Sequence, residues 1–181
     1  MKKYKLTGQN MQTFNGFQWK IGETKTTSGN SKELCNNQFL HYYHDPLLAI
    51  LLNPIHADID NPRLFEVEAE GIRLDDKGLK GGCTQLTLIR ELELPKVTTV
   101  NRIAFGILCA LEVYREANFV EWANSWLIGE NRNDNAAYTA VYAADDAYAA
   151  DDAAYAAAYA ARAADTAINL LAIAKKALTY N

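Results

Sequence analysis

Apolar and polar positions alternate with a period of two through much of the first 95 residues, the pattern of strands with one buried face. Tyr4-Lys5-Leu6 opens the series as a short strand, and Phe17-Gln18-Trp19-Lys20-Ile21 alternates until Gly22 ends it. Residues 25–32 are polar, with Ser28-Gly29-Asn30 as a turn signal, and Phe39 to Tyr43 reads as another strand. Asp45 and Pro46 predict a helix start, because an Asp side chain accepts from the free N–H groups there and proline tolerates the first helical position. That helix, Leu47 to Leu52, is apolar all round and therefore buried, and Asn53-Pro54 stops it. Leu64 to Glu70 alternates again: Phe65, Val67 and Ala69 share one face, Glu66, Glu68 and Glu70 the other, and Gly71 closes the run. Asp75-Asp76-Lys77-Gly78 and Gly81-Gly82 predict loops. Thr84 to Leu92 is the last strand, with Leu86 and Leu88 on one face and Arg90 next in that row.

Beyond Pro95 the period becomes helical. Ile103, Ile107, Ala110, Leu111 and Tyr114 mark one helix; Phe119, Trp122 and Trp126 mark a second, ending near Gly129. A polar connector follows, with Asp134 or Asn135 as the N-cap of a long Ala-rich helix over 135–178. Residues 136–167 hold 18 alanines and no Gly or Pro, and alanine is the best helix former. Ala136, Ala140, Ala143, Ala147, Ala150, Ala154, Ala157, Ala161 and Ala164 keep a 4-3 spacing, a heptad seam of the smallest side chain. The opposite side mixes Tyr138, Tyr148, Tyr155 and Tyr159 with Asp145 and Asp152. The expected fold class is α+β: a small, mostly antiparallel β domain over 1–95, then a helical region over 100–181.

The seam has two readings. It packs on the helices at 101–128, or on another copy of the chain, giving a homo-oligomer through helices. The tyrosines are a solvated face, or a stacking surface for a base.

Net charge is −4, which disfavours non-specific nucleic-acid binding. No apolar run approaches a membrane span, and the basic start Met1-Lys2-Lys3-Tyr4-Lys5 lacks the apolar stretch of a signal peptide. Three widely spaced cysteines, Cys35, Cys83 and Cys109, suit reduced thiols in a cytoplasm. The expected location is the cytoplasm, with no membrane partner.

Candidate chemistry is sparse. Cys35, His41, His44 and His56 lie close in sequence but lack metal-ligand spacing, so no metal site and no cofactor are expected. No nucleophile or phosphate-loop motif is present, and no catalytic residue is assigned. Lys77, Lys80 and the Gly81-Gly82 loop present charge and N–H groups to a phosphate. Arg63, Arg73, Arg90 and His41 are the other anion contacts, and Tyr148 and Tyr155 offer rings for a base.

Tyr4-Lys5, Gly16-Phe17-Gln18-Trp19-Lys20-Ile21-Gly22, Leu34-Cys35, His41, Pro46-Leu47, Phe65-Glu66-Val67-Glu68-Ala69 and Leu88-Ile89-Arg90-Glu91-Leu92 occur in one order. That order resembles a family of uncharacterised tailed-phage and prophage proteins with a domain of unknown function. Their pattern runs from a Tyr-Lys-Gly-Phe start through a Gly-Phe-Gln-Tyr-x-x-Gly strand and a Cys-x-x-Gly-Phe-His segment to an Ile-Arg-Glu-Leu strand. The resemblance covers residues 4–92; this chain has Gln38-Phe39-Leu40-His41 where Gly-Phe-His is expected, and it inserts Leu48 to Asp60. It implies an accessory phage protein, with no activity to carry onto residues. The expected function is a counter-defence sponge that binds and sequesters a small nucleotide-type host signal without turnover. An ADP-ribosyltransferase-like enzyme and a structural module assembling through its helices are the alternatives.

Overall fold

The computed structural model describes residues 2–130, 132, 146–164 and 167–181, with the backbone alone over 146–151. The chain divides into two compact units, Met1–Pro95 and Lys96–Asn181. The first is an antiparallel β unit and the second is helical, so the chain is α+β.

In the first unit, β1 (Lys3–Thr7) pairs with β6 (Arg63–Asp75), and β6 pairs with β7 (Gly81–Leu92). The outer edge of β7 carries β4 (Thr24–Thr26) at Gln85–Thr87 and β5 (Leu40–Tyr42) at Gly81–Cys83. Tyr4 and Tyr43 exchange two backbone hydrogen bonds, 3.0 and 2.7 Å, so β5 is also tied to β1. The neighbours β1, β6, β7 and β5 thus close into a ring. β2 (Gln12–Thr13) and β3 (Phe17–Gln18) form a separate hairpin.

One face of this sheet gathers Trp19, Leu40, Tyr42, Phe65, Val67, Ala69, Cys83, Leu86 and Leu88 into a core. Leu6 and Leu64, opposite each other in the register, are buried too, as is every residue of Leu47–Leu51 in helix α1 (Pro46–Leu51). The Asp45 carboxylate caps α1 by accepting from Leu47 N–H at 2.8 Å, as its position before Pro46 predicts.

Several boundaries differ from the pattern in the sequence. α1 ends before Asn53-Pro54, at Leu51 with Leu52 as its C-cap, but a further turn, α2 (Asn53–His56), begins there with proline in its first turn. Gly71 does not end β6. It adopts φ 74°, which glycine accepts freely, inside an irregularity between Glu70 and Arg73, and the strand continues to Asp75. Gly81 and Gly82 are not a loop but the start of β7. A side chain at Gly82 would meet Leu34 Cδ1 at 2.2 Å, and one at Gly81 would meet the Tyr42 ring at 2.4 Å. Ile89 is an extra residue in β7, since Glu66 faces Arg90 while Val67 faces Leu88. Arg90 is therefore turned out of the Leu86–Leu88 row. Ile21 makes only an isolated bridge, to Leu88.

In the second unit, α3 (Thr99–Val113) starts with a capping box between Thr98 and Asn101. The buried Asn101 amide also donates to Ala177 O and Tyr180 O, tying down the end of α6 (Leu170–Ala177). Glu116 caps α4 (Ala117–Leu127). The Ala-rich segment does not run unbroken to 178: α5 (Asp146–Ala163) ends, and α6 begins after its own N-cap, Asn169. Ala154, Ala157 and Ala161 are buried, and α5 packs on α3. At Gly106 an added Cβ would lie 2.9 Å from Ala153 Cα, the close helix approach that small side chains permit. The expected N-cap at Asp134 or Asn135, and seam positions Ala136, Ala140 and Ala143, lie outside the described residues, as do Tyr138 and Asp145. No described helix is long and apolar enough to cross a membrane.

Candidate functional site

Lys3 and Lys5 alternate with Tyr4 along β1, so both stand on the same side of the sheet, opposite Val67 and Phe65. Lys5 enters the core. Its ammonium donates to His41 O at 2.8 Å and lies 4.6 Å from the Trp19 ring centroid. Burial pulls its pKa down to about 8, and Cys83 acts the other way. Burial likewise pushes the Cys83 thiol up to about 11.

Lys3 stands at the rim. Its Nζ is 2.6 Å from His44 Nδ1, and His44 Nε2 is 2.6 Å from Asp75 Oδ2. Tyr42 stands beside both: the Lys3 ammonium is 5.1 Å from its ring centroid, and the His44 ring meets it edge-on. If Nε2–H donates to Asp75, Nδ1 accepts from the Lys3 ammonium; if the ring is an imidazolium, Nδ1–H donates to a neutral amine. Burial lowers the Lys3 pKa most; Asp75 opposes that and Arg73 adds to it.

Beside this chain of groups β1 ends at Lys3 while β6 runs on, and the step leaves a groove of about 480 Å³. Lys2, Lys3, Arg73 and Ile89 line it together with Glu66, Glu68 and Glu70. Arg73 donates to Ala69 O from Nη2. Glu66 is engaged with Arg90, at 2.7 and 2.9 Å, and with Lys2, which hold its carboxyl below the usual range. Glu68 and Glu70 are exposed.

The anion contacts expected from the sequence are scattered. Arg73 lines the groove. Arg63 is forked onto Glu91 at 2.8 and 2.6 Å, and Arg90 onto Glu66. Lys77 is exposed in the β6–β7 turn at φ 48°. Lys80 is buried near His41. His41 hydrogen-bonds Leu34 O through Nε2 at 2.8 Å; burial lowers its pKa, and Lys80 and Lys5 lower it further. The Gly81-Gly82 phosphate loop does not exist, because both glycines are strand residues paired with β5 and β6. Tyr155 is exposed on α5 and stacks on Tyr159, 6.3 Å between centroids. The Tyr148 side chain lies outside the described residues.

Sequence reasoning passed over Lys2, Lys3 and Asp75. The available signal was the Lys3-Tyr4-Lys5-Leu6-Thr7 alternation, which puts two lysines on one face. Among the described residues no group of three His, Cys, Asp or Glu side chains could hold a metal ion.

No curated protein and no solved structure matches the chain. Residues 1–100 match the family described as Domain of unknown function (DUF7666), a span that contains the whole β unit and its groove. The chain therefore belongs to the DUF7666 family.

Proposed function

We propose that the β unit binds a small nucleotide-type ligand in the groove beside β1 and releases it unchanged. One observation carries this reading: a single groove offers cations and exposed carboxylates together. Lys2 and Arg73 suit phosphate oxygens, Glu68 and Glu70 accept from ribose hydroxyls, and Ile89 gives an apolar wall for a base. Arg63 and Arg90 enter only as supports, since each is held on a carboxylate by two hydrogen bonds, whereas Lys2 meets Glu66 through one longer contact of 3.3 Å. In keeping with the phage resemblance, the biological role would be that of an accessory protein sequestering a host nucleotide signal.

Calorimetry of the full chain against mononucleotides, linear ADP-ribose, cyclic dinucleotides and cyclic ADP-ribose isomers tests this. One of them should bind and be recovered intact after denaturation, and Arg73→Gln should weaken it by about 1–3 kcal/mol. Absence of heat with all of them, at tens of micromolar protein or so, would overturn the reading. Consumption of the ligand would favour an enzyme instead.

A further inference from the structure

We propose that Lys3 is a nucleophilic amine that captures its ligand as a reversible imine, the ligand being a nucleotide-type molecule with a free reducing ribose. The proposal rests on the groove reading above and specifies what the groove holds. Three observations support it. The amine lines the groove, so a bound ligand reaches it. His44 Nδ1 lies 2.6 Å from the amine and is backed by Asp75, an arrangement that can take up the ammonium proton. Burial disfavours the charged form of this amine, Asp75 acting against it and Arg73 with it, and Arg73 lines the same groove as a phosphate contact.

The step balances without an oxidant or reductant. His44 Nδ1 takes the proton from the Lys3 ammonium, and Asp75 accepts from Nε2–H of the resulting imidazolium. The amine lone pair attacks C1 of the open-chain ribose; the C–N bond forms, the C=O π pair moves onto oxygen, and that oxygen takes one of the two N–H protons, giving a neutral carbinolamine. His44 returns a proton to the carbinolamine oxygen, that C–O bond breaks, and water leaves as the C=N bond forms. Addition of water reverses the sequence and restores the ligand, so capture is compatible with release unchanged. In this scheme Lys3 is the reacting group, while His44 moves its proton and Asp75 positions the ring.

The full chain, incubated with ADP-ribose and sodium cyanoborohydride, should acquire one reduced adduct, mapped by peptide mass analysis to Lys3. Lys3→Arg should abolish that adduct. His44→Gln should slow its formation about 10-fold or more near neutral pH, and the deficit should shrink as rising pH deprotonates the amine without help, a pH dependence that loss of structure would not produce. ADP, which lacks the reducing ribose, separates the two readings. If ADP binds but no adduct forms on Lys3, or adducts spread evenly over the chain's amines, imine capture is overturned and the groove reading stands. A Lys3 adduct without ADP binding keeps imine capture and overturns recognition through the phosphates. Neither binding nor adduct overturns both.

Discussion

Lys5 holds its charge where charge is disfavoured, in the core beneath Trp19 with one carbonyl as its acceptor. Its pKa is about 8 when folded and near 10.5 otherwise, so the unfolded chain binds more protons between those values. Stability contributed by this group therefore rises with pH through that window, and below about pH 8 the full penalty applies, of order 3 kcal/mol. Lys5→Met should gain stability over the parent chain at pH 7 in urea unfolding, and the gain should shrink towards pH 10. A difference independent of pH would show that Lys5 is not strained by its charge. The cysteines give a second contrast at this scale. Cys83 and Cys109 are buried, and burial raises both thiols, whereas Cys35 is exposed. Iodoacetamide on the native chain should label Cys35 and spare the other two until denaturant is added.

At the level of elements, small residues fix how closely strands and helices approach. Gly82→Ala would drive a methyl group into Leu34, and a loss of about 1–3 kcal/mol is expected. Leu34→Ala in the same chain should recover part of it; an additive double mutant would mean the two do not touch. Gly106→Val should act likewise through Ala153. Substituting Ala154 with Glu would not report on self-association, because Ala154 is wholly buried beside α3 and the helical unit itself would suffer. Element type was readable because burial on one face leaves its period in the chain: Phe65, Val67 and Ala69, or the α1 cap at Asp45. Irregularities were not readable. The extra residue at Ile89 and the turn through Gly71 depend on the partner strand, which single-chain periodicity cannot register, and so the Leu86–Leu88 row does not carry on to Arg90. Gly81-Gly82 carries the composition of a loop, yet its lack of side chains answers to Tyr42 and Leu34, distant in sequence.

Across the whole molecule the charge is net negative, yet the groove collects Lys2, Lys3 and Arg73. Binding of a phosphate-bearing ligand there should weaken several-fold between about 0.05 and 0.5 M salt; calorimetry showing no salt dependence would remove those cations from recognition. The groove was only partly legible beforehand. Arg73 was identifiable as a basic residue, but its neighbours Lys3 and Asp75 come together through the step between β1 and β6 and the return of β7, which no local spacing encodes. The Tyr4–Tyr43 pair that completes the ring has a further consequence, for synthesis. β1 is made first, yet its neighbours are Tyr43 and Arg63–Val67, and β7 is the last strand of the ring to appear. On the ribosome the first strand must wait, its edges bare, for pairings distant in sequence, which form slowly. Shorter nascent chains therefore expose apolar strands to wrong partners, and the hazard persists until Leu92 has left the exit tunnel.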